Sequence, residues 1–151
     1  MYAGEADSDR MTVLVVDDTK ENLTVIGQLL KPHYHVRVVN SGARALQAVE
    51  VPPRPDLILL DVMMPEMDGY EVLRSLRASP GSQDIPVIFV TALAADTDEE
   101  LGLSLGAVDY VTKPVKPALL LARVRAQLEL KKARDWLADQ NAYLDAEVHR
   151  R

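Results

Sequence analysis

Five polar groups in this sequence stand at or just past the ends of short apolar runs. Asp17-Asp18 follow Thr12-Val13-Leu14-Val15-Val16, and Asp61 follows Leu57-Ile58-Leu59-Leu60. Thr91 follows Ile85-Pro86-Val87-Ile88-Phe89-Val90, and Lys113 comes just past Val108-Asp109-Tyr110-Val111. Three of these groups are carboxylates, which repel one another unless something positive sits between them. Oxygen ligands without His or Cys favour a hard cation, and a few carboxylates completed by water and a substrate phosphate suit Mg²⁺. One carboxylate could then attack phosphorus and form an aspartyl phosphate. Lys113 would neutralise phosphoryl oxygens as a point charge, and the Thr91 hydroxyl could donate to another of them. Phosphoryl transfer asks for little beyond such positioning and charge neutralisation.

Taken singly, each residue has an ordinary explanation. Asp17-Asp18 could be a strand exit or a helix cap, Asp61 turn chemistry, Thr91 a strand-end threonine and Lys113 a solvated surface lysine. What independent turn residues do not explain is their joint arrival at one edge of one sheet.

That edge follows from the pattern of elements. Runs that are apolar at consecutive positions suit strands buried on both faces. Residues 12–16, 35–39, 57–60, 85–90 and 108–111 are the strand candidates. Helical periodicity occupies residues 19–31 (Leu23, Ile26, Leu29 and Leu30, stopped by Pro32), the stretch opened by Ser41-Gly42, and residues 69–78; residues 96–105 form a weak helix with Gly102 and Gly106 internal or capping. Val51-Pro52-Pro53-Arg54-Pro55 is a loop. Met63, Met64 and Met67 read as loop residues that pack. Strand and helix alternate five times, which predicts an α/β, doubly wound, five-stranded parallel sheet with helices on both faces. In such sheets ligands sit outside the carboxyl ends of the strands, where strand order reverses.

Composition narrows the class. The chain has 151 residues, no Cys and a net charge of −6. The three histidines stand in separate contexts, His33 and His35 near one turn and His149 at the end, which speaks against a zinc enzyme. The acidic balance disfavours nucleic acid as a partner. No apolar run approaches the roughly 20 residues that span a bilayer, so no membrane association is expected. The first ten residues lack the basic-then-apolar order of a signal peptide, so the expected location is cytoplasmic.

Asp17-Asp18, Asp61 with Met64-Pro65-Glu66-Met67-Asp68-Gly69, Thr91-Ala92, and Asp109-Tyr110-Val111-Thr112-Lys113-Pro114 together resemble the signature of two-component response-regulator receiver (CheY-like) domains, over roughly residues 11–130. The resemblance implies a flavodoxin-like receiver fold with Asp61 as phosphoacceptor and a histidine kinase or phosphotransfer protein as donor. It further implies that Asp18 and Asp61 bind Mg²⁺ directly, Asp17 acts largely through water, and the Met63 carbonyl completes the protein ligands. Thr91 and Tyr110 would be a switch pair, although Tyr110 alone could be a β-propensity residue on an edge strand. Lys113-Pro114 would be joined by a cis peptide. Such a chain is a signalling domain and not itself an enzyme, beyond self-phosphorylation or dephosphorylation.

Past Pro117 there is no further Pro or Gly, and one extended helix can run to the end. Leu130, Leu137 and Leu144 recur every seven residues, with Arg134, Asn141 and Val148 four residues after each. That is a d-and-a heptad ladder with Asn141 at an a position, which favours a parallel two-stranded coil in fixed register. A homodimer through this helix is expected; a single amphipathic helix folded back on its own domain is the alternative. The expected organisation is a disordered lead-in over 1–11, a receiver domain over 12–128 and a helical stalk over 129–151. The stalk resembles the linker of HD-GYP cyclic-di-GMP phosphodiesterase regulators, and ends mid-heptad, as if truncated before that output domain. The full-length protein would then be a cyclic-di-GMP phosphodiesterase.

A diguanylate-cyclase regulator is the second choice of output. Two competitors belong to other classes. A haloacid-dehalogenase-type phosphatase would need an Asp-x-Asp motif, whereas here the pair is adjacent. An inert receiver-like dimerisation module would be expected to lack an acidic residue or the lysine, and none is missing.

Overall fold

The computed structural model describes residues 10–150, and the side chains of residues 10–141. The lead-in up to residue 9 and the side chains of Leu144 and Val148 lie outside the described residues. Ten elements alternate: β1 (Thr12–Val16), α1 (Lys20–Leu30), β2 (His35–Val39), α2 (Gly42–Ala48), β3 (Leu57–Leu60), α3 (Gly69–Ala78), β4 (Val87–Thr91), α4 (Asp96–Ser104), β5 (Asp109–Thr112) and α5 (Pro117–Arg150). The strands form one parallel sheet in the order β2-β1-β3-β4-β5. This is the five-stranded, flavodoxin-like arrangement, with a long C-terminal helix.

The consecutive apolar residues of the strands divide between two cores. Leu14, Val16, Ile58, Leu60, Val87 and Phe89 point to the face covered by α2 and α3, against Ala45, Val72, Leu73 and Leu76. Val13, Val15, Leu57, Leu59, Ile88 and Val90 point to the other face, against Ile26 and Leu30 of α1 and Leu120, Val124 and Leu128 of α5. The two edge strands, β2 and β5, have mixed burial patterns, while the three central strands are buried throughout. Neighbouring residues on one strand thus serve opposite cores, which is why the runs show no polar alternation.

Caps set the helix starts where side chains supply them. Ser41 accepts from the Arg44 amide at 3.1 Å, and Asp68 from the Glu71 amide at 2.9 Å, each satisfying an otherwise orphaned N–H. The two glycines of the weak helix do different work. Gly106 lies after α4 with φ +110°, the left-handed conformation that ends helices. Gly102 is buried inside α4, where a Cβ would lie 3.0–3.2 Å from the rings of Phe89 and Tyr110.

Residues 10 and 11, which the sequence reading places in the lead-in, are held in place. The Arg10 guanidinium donates to the Lys31 carbonyl at 3.0 Å, and the Met11 carbonyl accepts from the His35 amide at 2.9 Å. Met11 also packs against the α1–α5 core, so the ladder of the first strand effectively begins one residue early. Past Leu128, the last α5 side chain in the core, the described side chains are exposed save for half-buried Lys131. Lys131 pairs with Asp56 at 3.2 Å and Asp135 at 2.7 Å. Asp56 in turn accepts from the Thr12 amide at 2.8 Å, so this ion pair ties the emerging helix to the start of the sheet.

Candidate functional site

From β1 the chain turns outward to β2 and then crosses back to β3, so strand order reverses between β1 and β3. Asp17-Asp18 leave β1 and Asp61 leaves β3 at this reversal, and the Asp61 amide donates to the Val16 carbonyl at 3.0 Å. One oxygen from each of Asp17, Asp18 and Asp61 lies within 4.8 Å of the others. Asp17 is 2% exposed and Asp61 6%, while Asp18 faces solvent.

Lys113, just beyond β5, reaches between the two buried carboxylates. Its Nζ lies 2.7 Å from Asp17 Oδ2 and 3.1 Å from Asp61 Oδ2. The second oxygen of each is also engaged. Asp17 Oδ1 accepts from the Thr19 amide at 2.9 Å and from Asn22 Nδ2 at 3.3 Å; Asp61 Oδ1 accepts from the Met63 amide at 3.1 Å. Burial raises the Asp61 carboxyl above the usual range, against the opposing pull of Lys113 and the Met63 amide. For Lys113 burial favours the neutral amine, but hydrogen bonds to Asp17 and Asp61 and their charges prevail and hold its pKa above the ordinary lysine value. The ammonium therefore stays charged between its partners.

The loop after β3 is closed tightly over Asp61. The Gly69 amide donates to the Val62 carbonyl at 2.9 Å, and a Cβ on Gly69 would lie 2.3 Å from the Asp61 carbonyl oxygen. Only glycine permits α3 to begin this close to the phosphoacceptor candidate. Within the loop, Met64 is buried and Met67 half-buried, as packing requires, but the Met63 side chain is 55% exposed. Its amide is turned inward to Asp61, which leaves the side chain in solvent and corrects the expectation that it packs. The Lys113-Pro114 peptide is cis, as is Pro52-Pro53.

Thr91 is fully buried at the end of β4, its Oγ1 accepting from the Leu93 amide at 3.4 Å. Tyr110 on β5 lies inward, 8% exposed, and its hydroxyl donates to the Leu93 carbonyl at 2.9 Å. Thr91 and Tyr110 thus grip the same residue from its two backbone ends. The Tyr110 ring packs on Phe89, which meets Tyr70 edge-on at 5.5 Å. Burial, then the neighbouring Tyr70 hydroxyl, push the Tyr110 phenol far above its ordinary pKa.

Two participants are absent from the sequence reading. Asn22 stands one helical turn after Asp18, a spacing that could have flagged it. Tyr70 follows Gly69, and its hydroxyl donates to the Asp98 carbonyl at 3.2 Å, tying α3 to α4. On the stalk, Leu130 and Leu137 are 52% and 54% exposed, and Arg134 and Asn141 are also exposed. Trp136 is also exposed, at 60%.

The donor set fits Mg²⁺. Its oxygens are carboxylate, with no softer ligand among them, and three carboxylates against one ammonium leave two negative charges for a divalent ion. No helix among the described residues is long and apolar enough to cross a membrane.

Comparison with known proteins agrees with this geometry. The family model described as "Response regulator receiver domain" matches residues 13–125. A Vibrio cholerae protein named "Probable cyclic di-GMP phosphodiesterase" is 45% identical over 145 residues, which is 96% of this chain and 33% of that protein. "Response regulator PleD" of Caulobacter vibrioides is 41% identical over 131 residues, 86% of this chain and 29% of the relative. The chain thus spans about a third of the length of these curated relatives. Among solved structures, the receiver domain of the Pseudomonas aeruginosa sensor histidine kinase PA1611 has a TM-score of 0.73 and 35% identity, covering 80% of this chain and 98% of that one. That receiver domain has a magnesium ion coordinated in its active site cleft.

Proposed function

The chain belongs to the response regulator receiver domain family, and we propose that it takes a phosphoryl group onto Asp61 from a histidine kinase or phosphotransfer protein and relays the change to an output domain. A receiver of this family is a signalling domain rather than a catalytic enzyme. The single observation that carries the assignment of Asp61 is its double engagement by the Lys113 ammonium and the Met63 amide at the sheet's reversal point, beside two further carboxylates.

The carboxylate of Asp61 attacks the donor's phosphorus. An oxygen–phosphorus bond forms as the phosphorus–nitrogen bond of a phosphohistidine breaks, and the departing imidazole takes up a proton. Asp17, Asp18, Asp61 and the Met63 carbonyl would hold Mg²⁺, which when bound supplies charge neutralisation for the phosphoryl oxygens. Lys113 remains protonated throughout and offers its N–H groups to the incoming oxygens. Thr91 turns its hydroxyl proton toward the phosphoryl group, which draws on the bond between its oxygen and the Leu93 amide. Because Leu93 also receives the Tyr110 hydroxyl, a movement of Thr91 changes the hold on Tyr110, and the surface around α4 and β5 responds.

Downstream, the receiver runs to Leu128 and the helix beyond it is a stalk that pairs with a second copy through Leu130, Leu137 and Asn141. The output is a cyclic-di-GMP phosphodiesterase. Support for that output comes from the Vibrio cholerae relative, whose 145-residue match must extend into the stalk, beyond residue 125 where the family model stops.

Intact mass tests the phosphoacceptor. Incubation with acetyl phosphate should add one phosphoryl group in the presence of Mg²⁺, and neither EDTA-treated protein nor Asp61→Asn should gain it. No gain on wild type with Mg²⁺ bound would overturn the proposal.

A further inference from the structure

Asp17 is the most buried carboxylate of the acidic cluster, and a buried carboxylate is tolerated only when its oxygens are paired. Its Oδ2 is taken by Lys113. Its Oδ1 is held from the opposite side by the Thr19 amide and by Asn22 Nδ2. The Thr19 amide comes from the chain immediately after the carboxylate, so it moves with the loop. Asn22 reaches in from the first turn of α1, a helix anchored in the core by Ile26 and Leu30. Among the described residues it is the one neutral side chain that donates to the three carboxylates.

We propose that Asn22 is a positioning residue of the acidic site, fixing the Asp17 carboxylate from the rigid frame of α1 so that the cluster is preorganised for a divalent cation. The inference rests on the reading of Asp17, Asp18 and Asp61 as a cation site. An amide suits the task because it donates without adding positive charge. A lysine or arginine at residue 22 would instead compete with the ion. Residues that orient a metal ligand typically govern metal affinity by one to two orders of magnitude, roughly 10- to 100-fold. A single neutral bond of 3.3 Å belongs at the weaker end of that range.

Binding of Mn²⁺ alone, followed by loss of the free-ion EPR signal, tests this on the full chain as wild type, Asn22→Leu, Asn22→Ala and Asp17→Asn. Leucine matches asparagine in size and favours helix, and alanine covers the case in which leucine crowds the site. Both Asn22 variants should bind Mn²⁺ about tenfold more weakly with an unchanged thermal midpoint. The Mg²⁺ concentration that half-saturates acetyl phosphate labelling should rise by a similar factor, with the rate at saturating Mg²⁺ preserved. If both Asn22 variants bind within about twofold of wild type while Asp17→Asn binds poorly, the positioning role is overturned and the cation site stands. Absence of Mn²⁺ binding by wild type would overturn both.

Discussion

Gly69 joins the fold to the site most directly, and Gly69→Ala puts a number on that link. The added Cβ would lie 2.3 Å from the Asp61 carbonyl oxygen and 2.8 Å from the Val62 Cα, both backbone atoms. The contact with Asp61 must open by at least 0.7 Å to reach 3.0 Å. No flexible side chain can absorb that shift. The start of α3 must lift, loosening the Gly69 amide bond to Val62, or the backbone carrying Asp61 must move. Overpacking costs about 1–3 kcal/mol and a weakened buried hydrogen bond about 1 more, while the stiffer unfolded chain returns about 0.5–1, for a net loss of roughly 1–3.5 kcal/mol. Displacement of a reacting group by about 1 Å slows chemistry by up to about 100-fold. Gly27→Ala is the internal control, because a Cβ there meets nothing within 4 Å in the middle of α1. That variant should gain about 0.5–1 kcal/mol and label at the wild-type rate. Urea denaturation gives the stabilities and intact mass against time gives the rates of labelling by acetyl phosphate. A Gly69→Ala protein within about 0.5 kcal/mol of wild type and labelled at its rate would refute the argument.

Three further outcomes are expected. Asp61 has a raised folded-state pKa, so the folded protein holds the proton more readily than the unfolded chain, and stability falls as pH rises through that pKa; Asp61→Asn should therefore stabilise the metal-free protein at pH 7, with the gap closing toward pH values below the ordinary carboxylate range, as urea midpoints across pH would show. Gly102→Ala should push the Tyr110 ring outward, because Phe89 and Tyr110 already lie 3.0–3.2 Å from the missing Cβ, and a stronger quenching of tyrosine emission by acrylamide with little loss of helix would register it. Leu130→Glu with Leu137→Glu should leave a folded monomer by sedimentation equilibrium, at concentrations where wild type associates; an association unchanged by both charges would exclude this face.

Much of this architecture is legible in the sequence because the sheet is buried on both faces. Runs such as Leu57-Ile58-Leu59-Leu60 have no room for a polar residue, so the first polar group after each marks the sheet edge. Asp17, Asp61 and Thr91 are visible for that reason, and Lys113 stands one residue further on, past Thr112. Asn22 and Tyr70 are less so, since each follows the start of a helix, where polar and aromatic residues have many uses and periodicity says nothing of what lies across the gap. The Lys131–Asp56 pair is hidden for a similar reason: 75 positions separate its members, and only the crossing of α5 over the sheet brings them together. Strand limits shift by a residue or two. The fourth strand begins at Val87 rather than residue 85 because Pro86 has no N–H to give the ladder, although its carbonyl still accepts from Ile58 at 3.0 Å.

The identity of the phosphorylated residue is the claim on which the rest depends. Borohydride reduces an aspartyl phosphate to homoserine, so reduction of the acetyl phosphate-treated chain followed by peptide sequencing reads the site directly. The conversion should fall on Asp61 alone and require Mg²⁺. Homoserine at position 17 or 18, or none at 61 in a chain that has gained a phosphoryl group, would contradict the assignment.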